Sequence, residues 1–165
     1  MQIRDFLRSR GIGFQVLLHN PAPSSTRLAK SIHVPGRQVA KGVLVWAAGE
    51  FVLAVLPATS KIDLERLSAV LGGRAVRLAT EDEIETAFGD CERGALPPFG
   101  RLYGLNTVVD ASLAADVDIV CVGNARHEGV RLRYRDYVAI EQPLIARFAT
   151  APEGRRTRRS HRRAG

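Results

Sequence analysis

The sequence predicts an α+β, mixed α/β domain built on one curved mixed sheet flanked by helices. Three observations carry this expectation. Residues 38–47 and 51–56 are apolar runs joined by Ala48-Gly49-Glu50, which reads as a hairpin. Residues 63–71 place leucines at 64, 67 and 71, a helical spacing, and end at Gly72-Gly73. No GxGxxG or GxxxxGK[ST] follows a strand, so the doubly wound nucleotide folds fit poorly. Hairpins and helical crossovers alternate irregularly, as in a mixed sheet.

The elements follow in order. Residues 2–10 form a short amphipathic helix with Ile3, Phe6 and Leu7 on one face and Gly11 behind it. Residues 13–19 form a strand, and the two prolines in 20–24 make a loop. Ser24 and Ser25 cap a helix running to Ile32, closed by Val34-Pro35-Gly36. After the hairpin and the leucine helix, residues 74–78 read as a strand. Thr80-Glu81-Asp82-Glu83 is a capping box opening a helix to Phe88. Residues 89–104 form a long irregular loop. Strands follow at 106–109, 117–122 and 129–133, and residues 135–148 read as helix interrupted near Pro143. The sum is about seven strands and four or five helices.

The 165 residues suit one domain, placed at 1–150, with 45% hydrophobic and 25% charged residues, a globular composition. No apolar run approaches the length of a membrane helix, and the N-terminus lacks the apolar core of a secretory signal. Cys91 and Cys121 form no CxxC and read as reduced thiols of a cytoplasmic protein; no metal site is expected. The net charge of +7 is unevenly spread. Residues 151–165 carry six arginines (Arg155, Arg156, Arg158, Arg159, Arg162 and Arg163) and one glutamate, leaving the body with 18 basic and 16 acidic residues. The tail has no apolar face and is expected to be disordered. It reads either as a phosphate-seeking arm or as a solubilising extension.

Two features carry chemistry. Only three lysines stand against 21 arginines, and Lys41 lies within VAKGVLVW, a strand apolar on both faces. A lysine there is desolvated, points into a polar cleft, or snorkels to water near the strand end. Gly42 beside it leaves room for another chain segment or a ligand. The second feature is Gly94-Ala95-Leu96-Pro97-Pro98-Phe99-Gly100, with prolines that lack N–H groups and glycines that permit close backbone approach. Such a loop can hold a carbonyl with backbone donors alone, or it is a plain surface turn. No GxSxG or HExxH is present, and Cys91 has no identifiable base, which favours an incidental thiol. Asp90, Glu92, His127 and Glu128 read as solvated loop residues.

The order of these segments resembles the YbaK/ProX family of prolyl-tRNA synthetase-associated editing domains. The resemblance runs from FQVLLHNPAPSST and LAKSIHVP through VAKGVLV, FVLAVLPATSKIDLERLSAVLG and the GxxxPxG loop to VDIVCVGNARHEGVRLRYRDY, and covers residues 3–148. It implies a YbaK/ProX-like fold and a deacylase that hydrolyses the ester of mischarged tRNA, often tRNA for proline, without a cofactor. Its partners would be aminoacyl-tRNA and an aminoacyl-tRNA synthetase. Lys41 matches the family's essential lysine; Gly94 and Pro98 match the loop that surrounds the aminoacyl carbonyl. His19 falls near a family tyrosine in the pocket, and Gly123 and Asn124 fall in a further lining segment. Val122 stands near a family serine, within Cys121-Val122-Gly123-Asn124, a departure at the segment on which transfer of one branch's cysteine-specific preference would rest.

The residues agree with that implication. An aminoacyl ester is already activated, so placement, a water and oxyanion stabilisation suffice. Two other readings stay open: a non-catalytic module that binds tRNA or a synthetase, and a small-molecule esterase or amidase, which lacks a nucleophile.

Overall fold

The computed structural model describes residues 1–18, 28–29 and 33–150. The expected loop at 20–24, most of the helix to Ile32, and the 151–165 tail lie outside the described residues; Leu28 and Ala29 are helical and buried.

Helix α1 (Ile3–Ser9) buries Ile3, Phe6 and Leu7, the face its spacing predicts. Strand β1 (Phe14–Leu18) follows, and then β2 (Val39–Ala47) and β3 (Glu50–Pro57) pair antiparallel through Ala48 and Gly49. Both turn residues have positive φ, 39° and 108°, as a tight hairpin turn requires. The short strand β4 (Lys61–Ile62) leads to α2 (Leu64–Val70), whose N-cap Asp63 accepts from the Glu65 and Arg66 amides. Strand β5 (Val76–Leu78) precedes α3 (Glu81–Ala87), and the predicted capping box of Thr80 and Glu83 is formed in both directions. Then come β6 (Asn106–Asp110), β7 (Asp118–Val122), β8 (Glu128–Arg133), α4 (Tyr134–Glu141), β9 (Leu144–Ala146) and β10 (Ala149–Thr150).

The main sheet runs β1-β8-β7-β2-β3-β6-β9, with β5 also on β2; β4 and β10 form a separate pair. It is mixed: β2 is antiparallel to β3 and parallel to β7, while β6 is parallel to both β3 and β9. Alternation along β2 divides the core. Ala40 and Leu44 pack with Phe6 and Leu7 of α1, Phe88 behind α3, and Tyr137 of α4. Val45 and Ala47 pack on the other face with Leu67 of α2 and Phe148.

Residues 135–148 do not form the interrupted helix that their pattern suggests. Helix α4 ends at Glu141, Gln142 takes a left-handed φ of 48°, and Pro143 blocks continuation. The chain then enters β9, an edge strand beside β6, and β10. Buried Asp110 secures this exit by accepting from the Phe148 and Ala149 amides, each at 2.9 Å.

Candidate active site

The site begins with a fork in the sheet. On the edge of β2 away from β3, Val39 and Ala40 pair with β7, whereas Val45–Ala47 pair with β5. Residues 41–44 lie between the two partners. The Val39 carbonyl accepts from Ala58 on the β3 side, so alternation turns the peptide groups of Gly42 into the fork.

The Gly94–Gly100 segment packs over the face of the sheet at Gly42. A Cβ on Gly42 would stand 3.2 Å from the Leu96 carbonyl oxygen and 3.2 Å from Leu53 Cδ1. The room that glycine leaves is therefore filled by another part of the same chain. Lys41 leaves β2 on the opposite face. Its Nζ donates to the carbonyls of Ser60 at 2.6 Å and Ala58 at 3.4 Å, in the turn after β3. The two sequence features thus meet at adjacent residues of one strand, from opposite faces of the sheet.

Lys41 is half-buried, and burial lowers its pKa from 10.5; the like charge of Lys61 lowers it further. Among the described residues its two bonded acceptors are neutral carbonyls. An ammonium has three N–H donors, so one has no acceptor among the described residues.

Within the loop, Gly94 is exposed and Leu96 half-buried, while Ala95, Pro97, Pro98, Phe99 and Gly100 are buried. The Ala95 amide is committed to the Glu92 carbonyl at 2.9 Å. Among the described residues, the Gly94, Leu96 and Phe99 amides donate to no protein group; Phe99 is fully buried, so the Gly94 and Leu96 amides are the candidate donors for a bound carbonyl. Gly94 has φ 86°, a conformation that disfavours side chains, and its missing Cβ would lie 3.2 Å from Arg126 Cδ. Phe99 spends its ring on the core, edge-to-face with Phe6 and with Tyr137 at 5.4 Å.

Two outside elements hold this loop. On one side the Asn124 carbonyl accepts from the Glu92 amide at 2.8 Å, and Arg126 is paired with the Glu92 carboxylate. On the other side the Tyr137 hydroxyl donates to the Pro98 carbonyl at 2.7 Å, and the Glu141 carboxylate accepts from the Arg101 amide at 3.0 Å. Asn124 is buried, and its side chain accepts from the Ile3 amide and donates to Tyr103. Gly123 is buried too, and its amide donates to the Glu128 carbonyl. Asn124 braces the loop region, whereas the Gly123 bond closes the turn between β7 and β8. His19 lies outside the described residues.

Glu128 departs from expectation: it is buried, 6% exposed, and paired with Arg4 at 3.1 Å. Cys91 is half-buried beside Tyr103, and burial pushes its thiol up to about 11, so it is protonated at neutral pH. Burial raises the carboxyl of Glu141 above its usual range despite its bonds from Thr107 and Arg101. A cavity of about 440 Å³, lined by Glu50, Arg74, Arg101, Thr107 and Glu141, lies beyond the loop and touches neither Lys41 nor residues 94–100. Among the described residues, no group of three or more His, Cys, Asp or Glu side chains could hold a metal ion, and no helix is long and apolar enough to cross a membrane.

A family model described as the aminoacyl-tRNA editing domain matches residues 19–140. The chain belongs to the aminoacyl-tRNA editing domain family. This editing domain is 31% identical over 74 residues to a proline--tRNA ligase of Thermosipho africanus, a match covering 45% of the chain and 13% of the ligase. The chain therefore spans a small part of that relative. Its fold is shared with hypothetical protein APE2540, at a TM-score of 0.81 and 21% identity over 90% of this chain and 99% of that one. It is also shared with a protein proposed as a trans-editing enzyme for prolyl tRNA synthetase, at a TM-score of 0.80 and 18% identity over 90% and 95% of the two chains. The family expected from the order of the motifs is the family found, and so is the mixed sheet flanked by helices.

Sequence reasoning missed Ser60, Tyr137 and Glu141. Ser60 contributes a backbone carbonyl, which no residue type encodes. Tyr137 and Glu141 stand four apart on a helix, a spacing that signals a shared face but not what the face holds.

Proposed function

We propose that this editing domain is a trans-acting deacylase that hydrolyses the ester of mischarged tRNA, with tRNA for proline as the favoured substrate. The observation that carries the reading is that a half-buried ammonium and a loop with amides that are unbonded among the described residues are rooted at the neighbouring residues Lys41 and Gly42 of β2. The proline--tRNA ligase relative supports the choice of tRNA.

In this reading Lys41 binds the terminal adenosine phosphate or positions the ester. The Gly94 and Leu96 amides receive the aminoacyl carbonyl oxygen and stabilise the negative charge that builds on it. Water attacks the carbonyl carbon, and the bond to the ribose oxygen breaks. The ribose oxygen takes up a proton, releasing free amino acid and deacylated tRNA. A ribose hydroxyl beside the ester orders the water. Because an aminoacyl ester is activated, placement and charge stabilisation carry the rate, and no protein nucleophile is needed.

The test is a panel of misacylated tRNAs, including tRNA for proline carrying non-cognate amino acids, given to wild type and Lys41→Ala. Wild type is expected to cleave at least one proline-tRNA species, and a folded Lys41→Ala protein to lose most of that rate. Binding of tRNA without cleavage of any ester would overturn the reading in favour of a non-catalytic module.

A further inference from the structure

Helix α4 touches the loop at two points that the reaction itself does not use. Tyr137 is fully buried and its hydroxyl donates to Pro98. One turn later, Glu141 is 2% exposed and its Oε1 accepts from the Arg101 amide and the Thr107 hydroxyl. Gly100 lies between these contacts. A Cβ there would collide with the Thr107 hydroxyl and stand 3.1 Å from the Leu105 carbonyl oxygen, so glycine is what lets Thr107, the donor to Glu141, pack against the loop. Phe99, between Pro98 and Gly100, packs its ring on Tyr137. Residues 98–101 are therefore tied in succession to one face of a single helix.

The chemistry of the loop makes such ties necessary. Pro97 and Pro98 have no N–H, so the middle of the loop cannot be secured by its own donors. It can be secured only through carbonyls and flanking amides, and those are the groups that Tyr137 and Glu141 engage. The other end is held at Glu92 by the Asn124 carbonyl and Arg126. The Gly94 and Leu96 amides lie between the two anchors.

We propose that Tyr137 and Glu141 are positioning residues for the deacylation reaction: together they set the place of the Gly94 and Leu96 amides relative to the ester. This rests on the reading above that the loop holds the aminoacyl carbonyl. Tyr137→Phe removes one hydroxyl and keeps the ring contact with Phe99. Glu141→Gln keeps an oxygen acceptor in place, and Glu141→Leu removes it.

The experiment combines single-turnover kinetics on the misacylated tRNA that wild type cleaves best with amide hydrogen exchange across residues 92–105. Tyr137→Phe and Glu141→Leu should lower kcat on the order of tenfold with KM changed by less than about twofold, and Glu141→Gln should rescue most of the loss. Exchange at Ala95 and Leu102, whose amides are hydrogen-bonded within the loop region, should quicken in the first two variants while β2 and β3 stay protected. Unchanged exchange at these amides in a folded Tyr137→Phe protein would overturn the proposal, whichever esters wild type cleaves. So would a loss of kcat that merely follows the melting temperature across all three variants. If wild type cleaves no ester, the deacylase reading falls, and exchange alone still decides the anchoring.

Discussion

Gly42→Ala isolates the contact between the central strand and the loop. The new methyl group would face three neighbours: Leu53 Cδ1 at 3.2 Å, the Leu96 carbonyl oxygen at 3.2 Å and Leu96 Cδ2 at 3.4 Å. The two side-chain carbons can rotate away. The carbonyl oxygen belongs to the backbone, so the loop itself must retreat by a few tenths of an ångström. If a displacement of 1 Å costs about 10²-fold in rate, one of 0.2–0.4 Å costs about threefold to sixfold. Overpacking at such a site costs about 1–3 kcal/mol, which for a domain of this size lowers the melting temperature by about 2–12 °C. The assay is single-turnover deacylation at saturating tRNA, paired with thermal melts. A lowered melting temperature with an unchanged saturated rate would refute the reasoning, because it would show that the loop can move without moving the donors.

Gly94→Val should reduce the single-turnover rate by about 10²–10³-fold and alter tRNA affinity far less, since it forces a branched residue into φ 86° and obstructs one carbonyl donor; filter-binding and rate measurements on the same protein separate the two. Because burial lowers the pKa of Lys41 below 10.5, the folded chain gives up this proton before the unfolded chain does. The stability of wild type relative to Lys41→Met should therefore rise as pH climbs through the window below 10.5, read by chemical denaturation at stepped pH. Deleting residues 151–165 should weaken tRNA binding with the saturated rate preserved. The slope of log affinity against log salt should become shallower by ~0.7–0.9 for each phosphate that the tail neutralises, as binding titrations at two salt concentrations would read.

The sheet and its helices are legible in the sequence because their signals are local. The two-residue hairpin turn, the leucines of α2 and the Thr80 capping box each announce themselves within a few residues. The stretch after Pro143 misleads, because Leu144-Ile145-Ala146 fits a helix as well as a strand. Only the open edge of β6, far away in sequence, decides between them. At the site, Lys41 stands out by its rarity and its apolar strand, and the loop by its glycines and prolines. What holds them is not legible. Lys41 is fastened by the carbonyls of Ala58 and Ser60, and the loop by a hydroxyl 39 residues away from Pro98. Asn124 reads as part of a lining segment, yet its amide reaches the backbone of Ile3, 121 residues earlier.

Those long separations set the order in which the protein can be put together. The loop cannot settle until the Asn124 turn and finally α4 have been made, since each supplies one of its fastenings. Chain closure over such distances is slow and comes late, after the local hairpin of β2 and β3 has formed. A nascent chain still lacking α4 would carry Lys41 on a paired strand and have no settled donors beside it. The same dependence runs in reverse on unfolding. A local opening of α4 would release the loop while the sheet remained intact, so activity would fade before the bulk of the structure melts.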